Sequence, residues 1–129
     1  MQQVNGKLVL VADDEAALRE LTKSTLESHG YKVLLATDGN EAVTVFGQHS
    51  DEIDLVLTDM VMPVMDGIMT IQALREIKPD VKIIAISGYI DDARYVDLLG
   101  DVDAVMRKPF ELHALMKTID RILASPSEA

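Results

Sequence analysis

Five side chains in this sequence can do chemistry together: Asp13, Asp14, Asp59, Ser87 and Lys108. Each lies at the end of a short apolar run. Three carboxylates brought within a few ångströms of one another repel, and at least one of their pKa values rises unless a cation enters. A hard, oxygen-seeking divalent cation, Mg2+ or Mn2+, answers that repulsion. Mg2+ typically takes one or two carboxylates, keeps several waters and leaves room for a phosphoryl oxygen. Lys108 adds a point charge that pairs with a carboxylate or a phosphoryl oxygen. Ser87 can donate a hydrogen bond to the same oxygen. Three aspartates, one lysine and one divalent cation cancel formally, so a phosphoryl group can enter without a severe charge penalty. Aspartate can act as a covalent nucleophile, and phosphoryl transfer asks mainly for positioning and charge neutralisation. Asp59 follows its apolar run directly and is the best candidate acceptor.

The elements that must position these residues are legible as an alternation. Apolar runs occupy 7–12 (KLVLVA), 31–36 (YKVLLA), 53–58 (IDLVLT), 81–87 (VKIIAIS) and, most weakly, 103–107 (DAVMR). Most are rich in Val, Ile and Leu without clean alternation, as in strands of a parallel sheet buried on both faces. Helical spacing separates them. Leu18, Leu21, Thr25 and Leu26 follow Asp13-Asp14-Glu15, a capping start. Ala42, Val45 and Phe46 mark a short second helix. Ile68, Ile71, Leu74 and Ile77 mark a third, closed by Lys78-Pro79. Tyr95, Val96, Leu98 and Leu99 mark a fourth, with Asp91-Asp92 as its N-cap and Gly100 at its end. Leu112, Leu115, Met116, Ile119, Ile122 and Leu123 mark a fifth. Five βα units predict an open α/β sheet with right-handed crossovers, and they are too few for an eight-fold barrel. Ligands in such sheets bind at the carboxyl ends of the strands. Asp13-Asp14, Asp59, Ser87-Gly88 and Lys108-Pro109 all fall there, whereas Thr37-Asp38-Gly39, after the second strand, reads as a turn.

The 129 residues predict a single domain with its core over about 7–123 and tails at 1–6 and 124–129. With 22 acidic against 12 basic residues, the formal charge of −10 argues against direct binding of nucleic acid or anionic membrane surfaces. The absence of cysteine excludes disulfides, thiolate metal sites and cysteine nucleophiles, and fits a reducing cytoplasm. There is no apolar run long enough for a membrane span and no secretory signal pattern at the start.

Asp13-Asp14, Asp59 with Pro63 and Met65-Asp66-Gly67, Ser87-Gly88, and Lys108-Pro109-Phe110 together resemble the receiver domain of two-component response regulators. Each motif alone is weak; five in order, each after its own strand, are specific. The resemblance implies a flavodoxin-like (βα)5 fold with helices on both faces of a five-stranded parallel sheet, order 2-1-3-4-5. It implies that Asp59 accepts a phosphoryl group from a histidine kinase or a histidine phosphotransfer protein. Asp14, Asp59 and the backbone carbonyl of Val61 would ligate Mg2+ directly, and Asp13 mostly through a bound water. Ser87 would turn toward the phosphoryl group, Lys108 would pair with it, and the Lys108–Pro109 peptide would be cis. Phosphorylation would repack the face of the fourth helix, fifth strand and fifth helix, where a second copy of the chain is a candidate partner.

Receivers often carry an aromatic switch residue three positions before the lysine. Here that position is Val105, and Tyr89 is the candidate reporter in its stead. Ser87-Gly88-Tyr89 resembles receivers fused to hybrid histidine kinases. Three other functions are weighed. An Asp-nucleophile phosphatase resembles a pattern with a second Asp two residues after the first; Val61 stands there and cannot transfer a proton, so the chain is expected not to be a turnover enzyme. A flavodoxin-like cofactor carrier needs a phosphate-cradling first loop, which Asp13-Asp14-Glu15 would repel. A module that binds without phosphorylation would not need the full acidic set with Lys108. His29, His49 and His113 lack metal-ligand spacing, and Met60, Met62, Met65 and Met69 read as packing.

Overall fold

The computed structural model describes residues 6–60, 67–87 and 102–124. The chain alternates β1 (Leu8–Ala12), α1 (Ala16–Ser28), β2 (Lys32–Ala36), α2 (Gly39–Gln48), β3 (Ile53–Asp59), α3 (Gly67–Ile77), β4 (Ile83–Ser87), β5 (Ala104–Arg107) and α4 (Leu112–Ala124). The strands form one parallel sheet in the order β2-β1-β3-β4-β5. This is the order that the resemblance implied. The expected fourth helix, with Asp91-Asp92 and Tyr95 to Gly100, lies outside the described residues, as do Val61, Pro63, Met65-Asp66, Gly88 and Tyr89. α4 includes Ala124, one residue past the expected core boundary; Ala is the best helix former.

Strand burial explains the sequence pattern. All five residues of β4 and all but Asp54 in β3 are buried, because these central strands are covered on both faces. β2 and β5 lie at the sheet's edges, and each has an exposed residue, Lys32 and Arg107. Alternate side chains feed two cores. Leu10, Val56, Ile83 and Ala85 pack with Phe46, Ile71 and Leu74 of α2 and α3. Val9, Val11, Leu55, Leu57, Ile84 and Ile86 pack with Leu26 of α1 and Leu115, Met116, Ile119 and Ile122 of α4. Burying side chains of this size contributes about 1.5–3 kcal/mol each.

Two residues of the expected helical stripes lie in their helices but face solvent. Leu21 is 51 % exposed and Ile77 41 %. In α1 the inward line is Thr22 and Leu26. Leu21 precedes Thr22 and is therefore turned about 100° off that line. Ile77 is the last residue of α3, three positions beyond Leu74, its last buried residue. The turn after β2 is also more than a turn. Asp38 caps α2 by accepting the N–H of Glu41 at 2.8 Å. Glu41 in return accepts the backbone N–H and the hydroxyl of Thr37, a reciprocal pattern close to a capping box.

Candidate functional site

The parallel register delivers the chemistry to one edge. β1 pairs with both β2 and β3, and β4 pairs with β3 and β5. The ends of β1, β3, β4 and β5 therefore stand side by side. Backbone bonds fix them: Met60 N–H donates to the Ile86 carbonyl at 2.8 Å, and Lys108 N–H to the Ser87 carbonyl at 2.9 Å. Gly67 N–H donates to the Met60 carbonyl at 3.1 Å and anchors the start of α3 beside the end of β3.

Asp13 and Asp59 are each 3 % exposed and Ser87 is 1 % exposed, whereas Asp14 faces solvent. Carboxylate oxygens of Asp13, Asp14 and Asp59 lie within 4.8 Å of one another. Lys108 Nζ donates to Asp59 Oδ2 at 3.0 Å. Asp13 Oδ1 accepts the N–H of Glu15 at 2.9 Å, and Arg19 Nη1 donates to the Asp13 carbonyl at 2.8 Å. The loop that presents the first two acids is thus held from both sides.

Burial pushes the Asp13 carboxyl above its ordinary range. The Glu15 N–H opposes that, the Asp59 charge adds to it, and Lys108 opposes it again. For Lys108, burial disfavours the ammonium, but the hydrogen bond to Asp59 and the charges of Asp59, Asp13 and Glu15 outweigh it. The lysine is held above its ordinary value. A cluster of oxygen donors with surplus negative charge, partly buried, suits a hard divalent cation better than any soft metal.

The structure therefore brings together Asp13, Asp14, Asp59 and Lys108 in one cluster, with Ser87 at the end of the neighbouring strand. The Lys108–Pro109 peptide is cis. Val105 is half-buried and packs toward the α2–α3 core. Glu15 was missed in the sequence except as part of a capping start. It is the N-cap of α1 but makes no side-chain cap bond. Its Oε1 lies instead 3.5 Å from Lys108 Nζ. Its place directly after two site aspartates was the available signal.

A profile of the response regulator receiver domain matches residues 9–120. The chain belongs to that family and is a receiver module of phosphorelay signalling. It is 39 % identical over 116 residues to the sensor kinase CckA of Brucella abortus, covering 89 % of this chain and 12 % of that protein. It is 36 % identical over 118 residues to the response regulator receiver protein CpdR of the same organism, covering 91 % of this chain and 97 % of that protein. Among solved structures, the CheX-CheY-BeF3-Mg2+ complex of Borrelia burgdorferi aligns with a TM-score of 0.82 at 28 % identity, covering 91 % of this chain and 89 % of that one. The chain spans only 12 % to 53 % of the length of several curated relatives, among them a transcriptional regulator of Cyanophora paradoxa. Among the described residues, no helix is long and apolar enough to cross a membrane.

Proposed function

We propose that this chain is a phospho-accepting switch in which Asp59 takes a phosphoryl group from a phosphohistidine of a histidine kinase or a histidine phosphotransfer protein. The observation that carries the reading is the placement of Asp59. It is a buried acid at a strand end, with Asp13 and Asp14 oxygens within 4.8 Å and the Lys108 ammonium at 3.0 Å.

An Asp59 carboxylate oxygen attacks phosphorus, the P–N bond breaks, and the imidazole leaves with the bond's electrons. Lys108 exchanges its partner oxygen on Asp59 for one on the phosphoryl group. The Ser87 hydroxyl, on the neighbouring strand end, donates to another. Asp13, Asp14 and Asp59 would hold Mg2+ or Mn2+, with the Val61 carbonyl as a further ligand. When bound, the cation supplies charge neutralisation at the phosphoryl oxygens.

The donor has a surface to meet. Leu18 on α1 with Pro109 and Phe110 after Lys108 lines an open apolar groove of about 440 Å³ beside the acceptor, and exposed Leu21 lies on the same helix. The switched face would include β5, α4 and the fourth predicted helix, and it is where a second copy could dock. Switching there goes without an aromatic ring at residue 105, with Tyr89 as the candidate reporter. The chain works as a signalling module in the cytoplasm and, with Val61 two residues after the acceptor, lacks the proton-transferring acid of an Asp-nucleophile phosphatase.

The test is a comparison of wild type with Asp59→Asn by NMR, adding beryllofluoride with Mg2+, or a small-molecule phosphodonor. Wild type should respond around the strand ends and the variant should not. An equal response in both would remove Asp59 from the mechanism.

A further inference from the structure

Glu15 takes no part in the chemistry above, yet it competes with Asp59 for the Lys108 ammonium. At an N-cap a short side-chain oxygen usually accepts an N–H of the first helical turn. Glu15 has the extended backbone of a cap (φ −86°, ψ 110°) and makes no such bond. Its carboxylate reaches out to Lys108 at 3.5 Å, while its side chain stays 63 % exposed. Lys108 is thus shared between Asp59 at 3.0 Å and Glu15 at 3.5 Å. The charge count also changes: three aspartates, one lysine and one divalent cation cancel, and Glu15 leaves one negative charge over.

We infer that Glu15 is a positioning residue that holds Lys108 toward the rim of the site and thereby weakens the site's grip on a phosphoryl group. The inference rests on the reading of Asp59 as acceptor. Phosphoryl oxygens must win the lysine from Glu15 and enter beside its carboxylate. Both effects act against the phosphorylated form and would set how readily the switch discharges. Because Glu15 is exposed, its effect is of the size of a surface ion pair and is screened by salt.

The experiment compares wild type with Glu15→Gln, which keeps the shape and removes the charge. Beryllofluoride is titrated at one saturating Mg2+ concentration, in low and high salt. The side-chain 13Cε resonance of Lys108 is followed in the free proteins. Glu15→Gln should bind beryllofluoride roughly two- to fivefold more tightly in low salt, with the gain shrinking in high salt. The Lys108 resonance should shift while that of Lys78, distant from the site, stays put. Unchanged affinity, or a Lys108 resonance indifferent to the substitution, would overturn the inference while leaving the acceptor reading intact. Wild type that binds no beryllofluoride would overturn both.

Discussion

Lys108 and Asp59 meet through a hydrogen bond of 3.0 Å although 49 residues separate them. Their meeting depends on register: Lys108 N–H is bonded to the Ser87 carbonyl, and β4 is paired with β3 through Asp59 and Ile86. Replacing Lys108 with Met keeps most of the aliphatic stem and removes the charge. A hydrogen bond to a charged group is worth about 1.5–3 kcal/mol. Lys108→Met should therefore bind beryllofluoride about tenfold to a hundredfold more weakly by calorimetric titration. Mg2+ binding should be no weaker, because the carboxylates lose a competing cation. An unaltered beryllofluoride affinity would contradict the role given to Lys108.

The clustered carboxylates make a second prediction. Asp13 is buried, and its neighbours include Asp59. Asn at position 13 can still accept the Glu15 N–H but carries no charge. Metal-free Asp13→Asn should be more stable than wild type by on the order of 1 kcal/mol, seen as a thermal midpoint a few degrees higher. Mg2+ should raise the wild-type midpoint by binding the folded state alone and should raise that of the variant less. A variant that melts lower than wild type without metal would show that Asp13 is structural rather than held under repulsion.

How much of this was legible follows from which forces are local. The central strands announced themselves because burial on both faces demands unbroken apolar runs, as in β3 and β4. The site aspartates were found because strand ends in a parallel sheet share an edge. The strand order came from the family resemblance rather than from the pattern of residues. Periodicity finds a helix's apolar side but not its depth: Leu21 and Ile77 fit the helical spacing of α1 and α3, yet both are exposed. The Asp38–Glu41 exchange with Thr37 was written in the sequence as acid, spacing and hydroxyl but was read only as a turn. Glu15 was hidden for another reason: its partner, Lys108, is brought to it only by the assembled sheet.

Gly67 supports a third prediction. A Cβ there would lie 2.5 Å from Met60 Cα, 2.7 Å from Met60 Sδ and 3.0 Å from the Asp59 carbonyl oxygen. Two of these neighbours are backbone and cannot swing aside. Gly67→Ala must push the start of α3 away from the end of β3, the strand that carries Asp59. Overpacking of this kind costs about 1–3 kcal/mol. Denaturant unfolding should show that loss, and beryllofluoride affinity should fall because Asp59 shifts with its backbone. A variant as stable as wild type would mean that the close approach relaxes freely.

The fourth prediction concerns alkaline pH and a contact far from Asp59. Tyr31, just before β2, is buried, and its hydroxyl donates to Asp120 Oδ1 of α4 at 2.5 Å. Burial raises the Tyr31 pKa above its ordinary value of 10.0, and the hydrogen bond and the charge of Asp120 raise it further. The folded state thus keeps this proton when the unfolded chain has lost it. Tyr31 contributes its full stability below the unfolded pKa, and that contribution is lost as pH rises through the folded pKa. Tyr31→Phe should lower stability at neutral pH by about 1–2 kcal/mol, the worth of a hydrogen bond to a partly exposed carboxylate. It should also flatten the fall in stability above pH 10.0, and phenolate absorbance should show one fewer tyrosine that ionises only above the ordinary range. An alkaline fall as steep in the variant as in wild type would assign that loss to other groups and leave the Tyr31–Asp120 bond without energetic weight.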